Sequence, residues 1–386
     1  MGIADSLKIV PVSGNLPEVD QDICEADEKR FFKVVSTKLN DLETQRITTP
    51  EEVYKREEEV LAVHWHPEFI PLDLITERIE KLYPNRRREL IIPTQHNVML
   101  DYNGYSGVEV DCYSSGFNRK VQLLIHFNSS LVRDKECGVF ENILEHTFKY
   151  RSSQLFSFMG ALTKPKQEWL EKAARETGAR PELIDFIASH VKKIESLIEL
   201  HYDHIPRASI KNKLLRNYFY ELADTLDEAV IIRIQAFLKS LKEIVKKNFS
   251  LKFFYRTSEI IEEARSLGAG IVIPHPEQFW PILMADYDVD GYEIWNPQSR
   301  EYTEFLISVL NRRNSNHKGR RLLAFMGDDT HFGEKIKHPD ERKKEKGDRE
   351  IGLQPAWNDL AISKELIKAG LSKTQVMAEY RARLDG

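Results

Sequence analysis

Short apolar runs in this sequence end, one after another, in histidine or a carboxylate, and this limits the folds open to the chain. Leu61, Ala62 and Val63 lead into His64-Trp65-His66, and Leu322 to Met326 lead into Gly327-Asp328-Asp329-Thr330-His331. Residues i and i+2 of a strand share a face, so each stretch presents a pair of ligand-type groups together. One such pair is more often an accident of sequence than a ligand set, and the case rests on what lies between the two. Leu90-Ile91-Ile92 runs into Pro93-Thr94-Gln95-His96-Asn97, Gly107-Val108-Glu109-Val110 carries an acid, and Val121 to Phe127 contains His126. Ile271-Val272-Ile273 then runs into Pro274-His275-Pro276, and Gly291 to Asn296 contains Glu293. Reactive groups at the C-terminal ends of successive strands separated by helical patterns predict an α/β barrel.

The chain has 386 residues, enough for one large barrel with insertions or for two domains. A net charge of -5 gives no global basic field for nucleic acid, which leaves only a local patch for such binding. Cys24, Cys112 and Cys137 are widely spaced and form no CxxC, so thiolate zinc sites and a disulfide framework are not expected. No apolar run approaches the roughly 20 residues that span a bilayer, and Met1 to Val12 do not read as a signal peptide. A cytoplasmic protein without a membrane partner is the expectation.

The pattern divides the chain. Residues 1–55 read as an N-terminal extension, with a short strand at Lys8 to Val12, a helix over Glu25 to Leu42, and a second helix starting at Thr48-Thr49-Pro50. Residues 56–127 and 256–332 read as a split barrel. Between them, residues 128–255 are helical in pattern, with apolar positions at helical spacing over Pro181 to Leu200 and over a long run from Lys213 to Phe249. His201 and His204 share a helix face there, but a solvated or half-buried face explains them better than a ligand set. Residues 333–386 read as a charged loop, exposed over 333–350, followed by two closing helices.

The strand-end residues, in order, are His64, His66, His96, Glu109, His126, His275, Asp329 and His331. Imidazole with carboxylate suits Zn, Mn or Fe better than Ca. The set exceeds what one ion needs, so a cluster of two or three ions is expected, with Glu109 able to bridge through its two oxygens. Arg86 to Arg88, Arg119 and Lys120 are expected at the opposite end of the barrel.

These motifs resemble those of the PHP (polymerase and histidinol phosphatase) superfamily. The resemblance lies in His64-Trp65-His66, Thr94-Gln95-His96-Asn97, Gly107-Val108-Glu109-Val110, the helix and strand from Ser258 to Pro276, Gly291-Tyr292-Glu293-Ile294, and Gly327-Asp328-Asp329-Thr330-His331. It implies a distorted (β/α)7 TIM-like barrel and a metal-dependent phosphoesterase. The attacking group would be a metal-bound hydroxide, with no catalytic side chain assigned, and the substrate a small phosphorylated or nucleotide compound. It further implies that His64, His66, Glu109 and Asp329 hold one ion, that Glu109 bridges to a second held by His275 and His126, and that His96 and His331 hold a third. Glu68, Asp73 and Glu293 are additional candidates, and Gln95, standing where the family has Asp, is expected to orient His96. The alternative is a non-catalytic metal-binding regulatory module on the same scaffold.

Overall fold

A computed structural model of the chain describes residues 16–133, 137–316, 319–338 and 344–386. The expected strand at Lys8 to Val12, and His317, lie outside the described residues. The chain divides into two units, one of residues 1–38 and 149–250 and the other of residues 39–148 and 251–386.

The second unit carries every described strand: β1 (Glu59–Ala62), β2 (Trp65–His66), β3 (Arg88–Ile91), β4 (Leu100–Tyr102), β5 (Tyr105–Ser114), β6 (Arg119–Asn128), β7 (Gly270–Ile273), β8 (Gly291–Trp295), β9 (Leu323–Met326) and β10 (Thr330–His331). The continuous apolar runs follow from burial on both faces. Around β1, Leu61 and Val63 enter one hydrophobic cluster, while Val60 and Ala62 enter another with Ile75, Ile79 and Trp65. Six strands form one sheet in the order β4-β5-β6-β7-β8-β9, and the others form two parallel pairs, β1 with β3 and β2 with β10.

Of the expected distorted (β/α)7 TIM-like barrel, the described residues show a mixed α/β fold with a six-stranded sheet that is only partly parallel. β7, β8 and β9 are parallel, but β6 runs antiparallel to both β5 and β7. The cause is local: only Ser115 to Asn118 connect β5 to β6, too short for the crossover that parallel neighbours need. A further hairpin joins β4 to β5 through Asn103-Gly104, both at positive φ, the backbone a tight hairpin turn demands. No continuous ladder closes these sheets into a barrel among the described residues. Single hydrogen bonds do link them. Glu109 N donates to Gln95 O and Asn97 N to Glu109 O beside β5, and Asp329 N donates to His64 O beyond β9. The amide of Gln354 donates to both Leu61 O and Met326 O, at 2.7 and 2.6 Å, across the gap between β1 and β9.

The helical unit packs Glu25–Val35, Tyr150–Thr163, Gln167–Thr177, Pro181–His201, Lys213–Tyr220 and Glu228–Lys247 around Phe31, Phe158, Ile187, Ile194, Phe219, Ile234 and Leu238. Pro181 sits in the first turn of its helix, where its missing N–H costs nothing. The run expected from Lys213 to Phe249 is broken between Tyr220 and Glu228, where Asp224, Thr225 and Asp227 favour turns and caps over helix.

Three further expectations are corrected. The first helix ends at Val35, and the second is Asp41–Thr48, started by an Asn40–Glu43 capping box; Thr48-Thr49-Pro50 is its end, not its start. Residues 333–350 are not simply an exposed loop. They include part of the helix Phe332–Lys335 and the helix Lys344–Gly347, and they end in the buried Arg349 and Glu350. No helix among the described residues is long and apolar enough to cross a membrane.

Candidate metal centre

Chain direction decides which side chains meet. His64 follows β1, His66 ends β2, His96 lies beyond β3, Glu109 sits within β5, His275 follows β7, and Asp329 and His331 follow β9. Their donor atoms converge in three groups: His64, Glu109 and His275; His64, His66 and Asp329; His66, His96 and His331. Within each group the atoms lie within 4.8 Å of one another. His64 and His66 each belong to two groups, so the three interlock. His64, His66 and Glu109 are 1% exposed at the side chain, whereas His96 and His331 are 23% and 22% exposed. The cluster therefore opens on the side of His96 and His331.

The three carboxylates divide their oxygens differently. Asp329 spends Oδ2 on protein donors, Arg349 Nη1 at 2.7 Å and Gln298 Nε2 at 2.9 Å. Its Oδ1 faces imidazole nitrogens of His331, His66 and His64 at 3.3, 3.4 and 3.6 Å. Glu109 has no hydrogen-bonded partner on either oxygen, although His96 Nδ1 stands 2.7 Å from Oε2 and His275 Nε2 3.7 Å from Oε1. Glu293 is satisfied on both: Oε1 takes the Nδ1–H of His64 at 2.8 Å, and Oε2 takes the backbone N–H of His275 at 2.7 Å. Glu293 thus holds the His64 ring with one oxygen and the His275 backbone with the other. His64 Nε2, on the other side of the ring, faces the cluster, 3.6 Å from Asp329 Oδ1.

Three other candidates, His126, Gln95 and Asp73, fall differently from expectation. His126 is not brought to the cluster, because β6 runs backward and carries its C-terminal half away. His126 Nε2 donates to Val63 O at 3.0 Å and its Nδ1 accepts from the Tyr380 hydroxyl at 2.7 Å, so neither nitrogen is left for a ligand. The same reversal brings the start of β6 toward the cluster: Gln122 Nε2 lies 3.5 Å from His96 Nδ1. Lys120, expected at the far end, pairs at 2.5 Å with the buried Asp111, which also accepts from Asn97 beside His96. Gln95 does not orient His96; its Oε1 accepts from the backbone N–H of Glu68 at 3.0 Å. Glu68 reaches the edge of the site, with Oε1 3.6 Å from His331 Nδ1. Asp73 is exposed on the first turn of Leu72–Leu82 and joins none of the three groups. In the helical unit, His201 lies against Phe32 and near Glu28, and His204 is exposed.

Burial and the neighbouring charges act against one another in this cluster. Burial would push Glu109 up, yet His96, His275 and His66 outweigh it and hold the carboxyl well below the usual range. Asp329 behaves likewise, held down by His331, His66 and His64 against its burial. His64 is pushed up to about 10, because Glu293, Asp329 and Glu109 overcome burial, while His66, crowded by burial and by His331 and His96, falls to about 3. Buried atoms without hydrogen-bonded partners include His64 Nε2, His66 Nδ1, His275 Nδ1 and both oxygens of Glu109. Unpaired buried polar atoms each cost on the order of 1–3 kcal/mol, and several in one place signal an absent partner. Nitrogen and carboxylate donors at this spacing fit divalent transition-metal ions.

Sequence reasoning missed Arg349, Gln298 and Gln354. Arg349 lies in a charge-dense stretch that reads as solvated, and no pattern in the sequence ties it to Asp329.

No known family profile matches the chain, and no curated protein matches it. Among solved structures it is similar to a candidate metal-dependent phosphoesterase from Bifidobacterium adolescentis, at 16% identity, with 88% of this chain and 95% of that one covered and a TM-score of 0.34. A likeness at that level carries no argument, so the functional reading rests on the residues of the site.

Proposed function

We propose that this chain is a metal-dependent phosphoester hydrolase of the PHP type, acting on a phosphomonoester or nucleotide-type substrate. Two or three Zn, Mn or Fe ions would be held by His64, His66, His96, Glu109, His275, Asp329 and His331, with Glu68 at the edge. The observation that carries the reading is Glu109, buried among imidazoles with both oxygens lacking hydrogen-bonded partners. A carboxylate so placed has the chemistry of a bridge between two ions. Bound there, the ions would polarise phosphoryl oxygens and make water acidic enough to attack at neutral pH.

The protein's own residues do the rest. Glu293 holds the proton on His64 Nδ1 and fixes the ring. His96 and His331, the half-buried members, are where a substrate would enter. The hydrogen bonds linking β3 to β5 and β9 to β1 support a barrel-like arrangement, with one reversed strand, that presents these ends together.

The test is metal content of the purified chain together with phosphate release from p-nitrophenyl phosphate or a dinucleotide. Two or more metal equivalents, with turnover lost in His64→Ala, is the expected result. Stoichiometric metal without turnover on a broad phosphoester panel would overturn the hydrolase in favour of a non-catalytic metal-binding module.

A further inference from the structure

We infer that Arg349 is a positioning residue that makes Asp329 a one-oxygen ligand and holds its main chain in the conformation ligation requires. The inference rests on reading the cluster as a metal centre. Asp329 has a φ of 47°, in the left-handed region that a residue with a side chain enters only at a cost. Glu68, Asn97 and His275, with φ of 57°, 53° and 28°, share that feature around the same cluster. Something must hold such a backbone in place. At Asp329 a single guanidinium nitrogen does so: Arg349 Nη1 donates to the carboxylate Oδ2 at 2.7 Å and to the carbonyl oxygen of the same residue at 3.0 Å.

The consequence for the carboxylate follows directly. With Oδ2 engaged by Arg349 and Gln298, only Oδ1 faces the imidazoles of His64, His66 and His331. Glu109, which no such donor engages, keeps both oxygens for ligation. The arrangement thus assigns different roles to two acids of like chemistry, and a buried cation decides which one is restrained.

Arg349 is itself held. Its side chain is 3% exposed and its Nε donates to Glu345 O at 3.3 Å. The residues that follow grip the same region. Gly352 N donates to Asp328 Oδ2 at 3.0 Å, and Gln354 spans Leu61 O and Met326 O. The stretch from Arg349 to Gln354 is therefore a strap across the loop that carries Asp329. Next to it, Glu350 pairs with Arg78 and Lys335 without touching a cluster residue, and this pair provides an internal control.

The experiment uses the full chain, stripped by chelation and titrated with Mn2+ by calorimetry, with bound metal counted by elemental analysis. Wild type, R349A, R349K, R349M and R78Q are compared, and the melting temperature of each metal-free form is recorded. R349A is expected to bind Mn2+ about 10–100-fold more weakly, the usual effect of losing a partner behind a ligand. R349K is expected to recover most of the loss, since one ammonium can reach both Oδ2 and the carbonyl oxygen that the single Nη1 contacts. R78Q is expected to lower the melting temperature while leaving Mn2+ affinity within about twofold of wild type, because Arg78 bonds Glu350 and the carbonyls of Arg46 and Ile47 and makes no bond to Asp329. If R349A does not fold, R349M, which keeps an apolar stem without the charge, carries the test, and wild-type affinity in R349M overturns the proposal. Equal weakening in R349A and R78Q overturns it as well, because that marks general loosening. A wild-type chain that takes up no Mn2+, Zn2+ or Fe2+ overturns the metal reading itself. Wild type that loads beside an R349A that loads equally overturns only the role of Arg349.

Discussion

Glu293 Oε1 accepts the Nδ1–H of His64 at 2.8 Å, with both side chains 1% exposed. The contact exists because position 327 is glycine: a Cβ there would fall on the Glu293 carboxylate. Glu293→Gln keeps the shape but removes the charge that fixes the histidine's proton. Metal affinity is expected to fall by about 10–100-fold, read by Mn2+ titration. Gly327→Ala is expected to disturb the same pair and to cost on the order of 1–3 kcal/mol of stability, read by denaturant unfolding.

His126→Ala separates a core histidine from a ligand. Losing the Tyr380 and Val63 partners is expected to destabilise the chain by about 1–3 kcal/mol, since two buried groups lose their bonds. Metal stoichiometry at saturation is expected to stay at the wild-type value. His275→Ala should do the opposite and lose bound metal, and elemental analysis of the two variants reads the difference.

The helical unit should carry an acid-sensitive pair. Asp27 is 4% exposed, and burial would raise its pKa, but Lys193 Nζ at 2.7 Å and the Cys24 backbone hold it down to about 2 from 3.8. A depressed carboxyl contributes stability that is present above the unfolded pKa and lost as pH falls through the folded one. The loss should therefore fall between about pH 4 and pH 2, with a size on the order of 2 kcal/mol. Asp27→Asn is expected to flatten that portion of the stability profile, measured by urea unfolding across the range.

Removing metal should cost stability outright. A chelator is expected to lower the melting temperature, and Mn2+ to restore it. At a thousandfold excess over Kd the gain for one site is about 4 kcal/mol. A melting temperature indifferent to chelator and to added metal would contradict the assignment of the cluster.

Local pattern alone made much of this site legible. An imidazole or carboxylate at the end of an apolar run can be read from a few neighbouring residues, because strand alternation and burial are properties of short segments. All seven residues whose donor atoms converge were visible in this way. The Asn103-Gly104 turn was equally local, and its hairpin strand β4 was overlooked beside the longer runs.

What only the tertiary structure decided was direction and partnership. His126 matches the strand-end pattern as well as His96 does, yet the short connection from β5 reverses β6 and sends it into the core. Gln95 looks like a neighbour's orienter until the fold brings the Glu68 backbone to it. Arg349 lies twenty residues from Asp329 in a stretch whose composition favours solvent. Its burial pays off only because a carboxylate and a carbonyl are waiting for it. The sequence by itself determined which groups could bind a metal, since that is residue chemistry on a local frame. Which of them face one another, and which are held by a second residue, depended on distant segments meeting, and no local period encodes that.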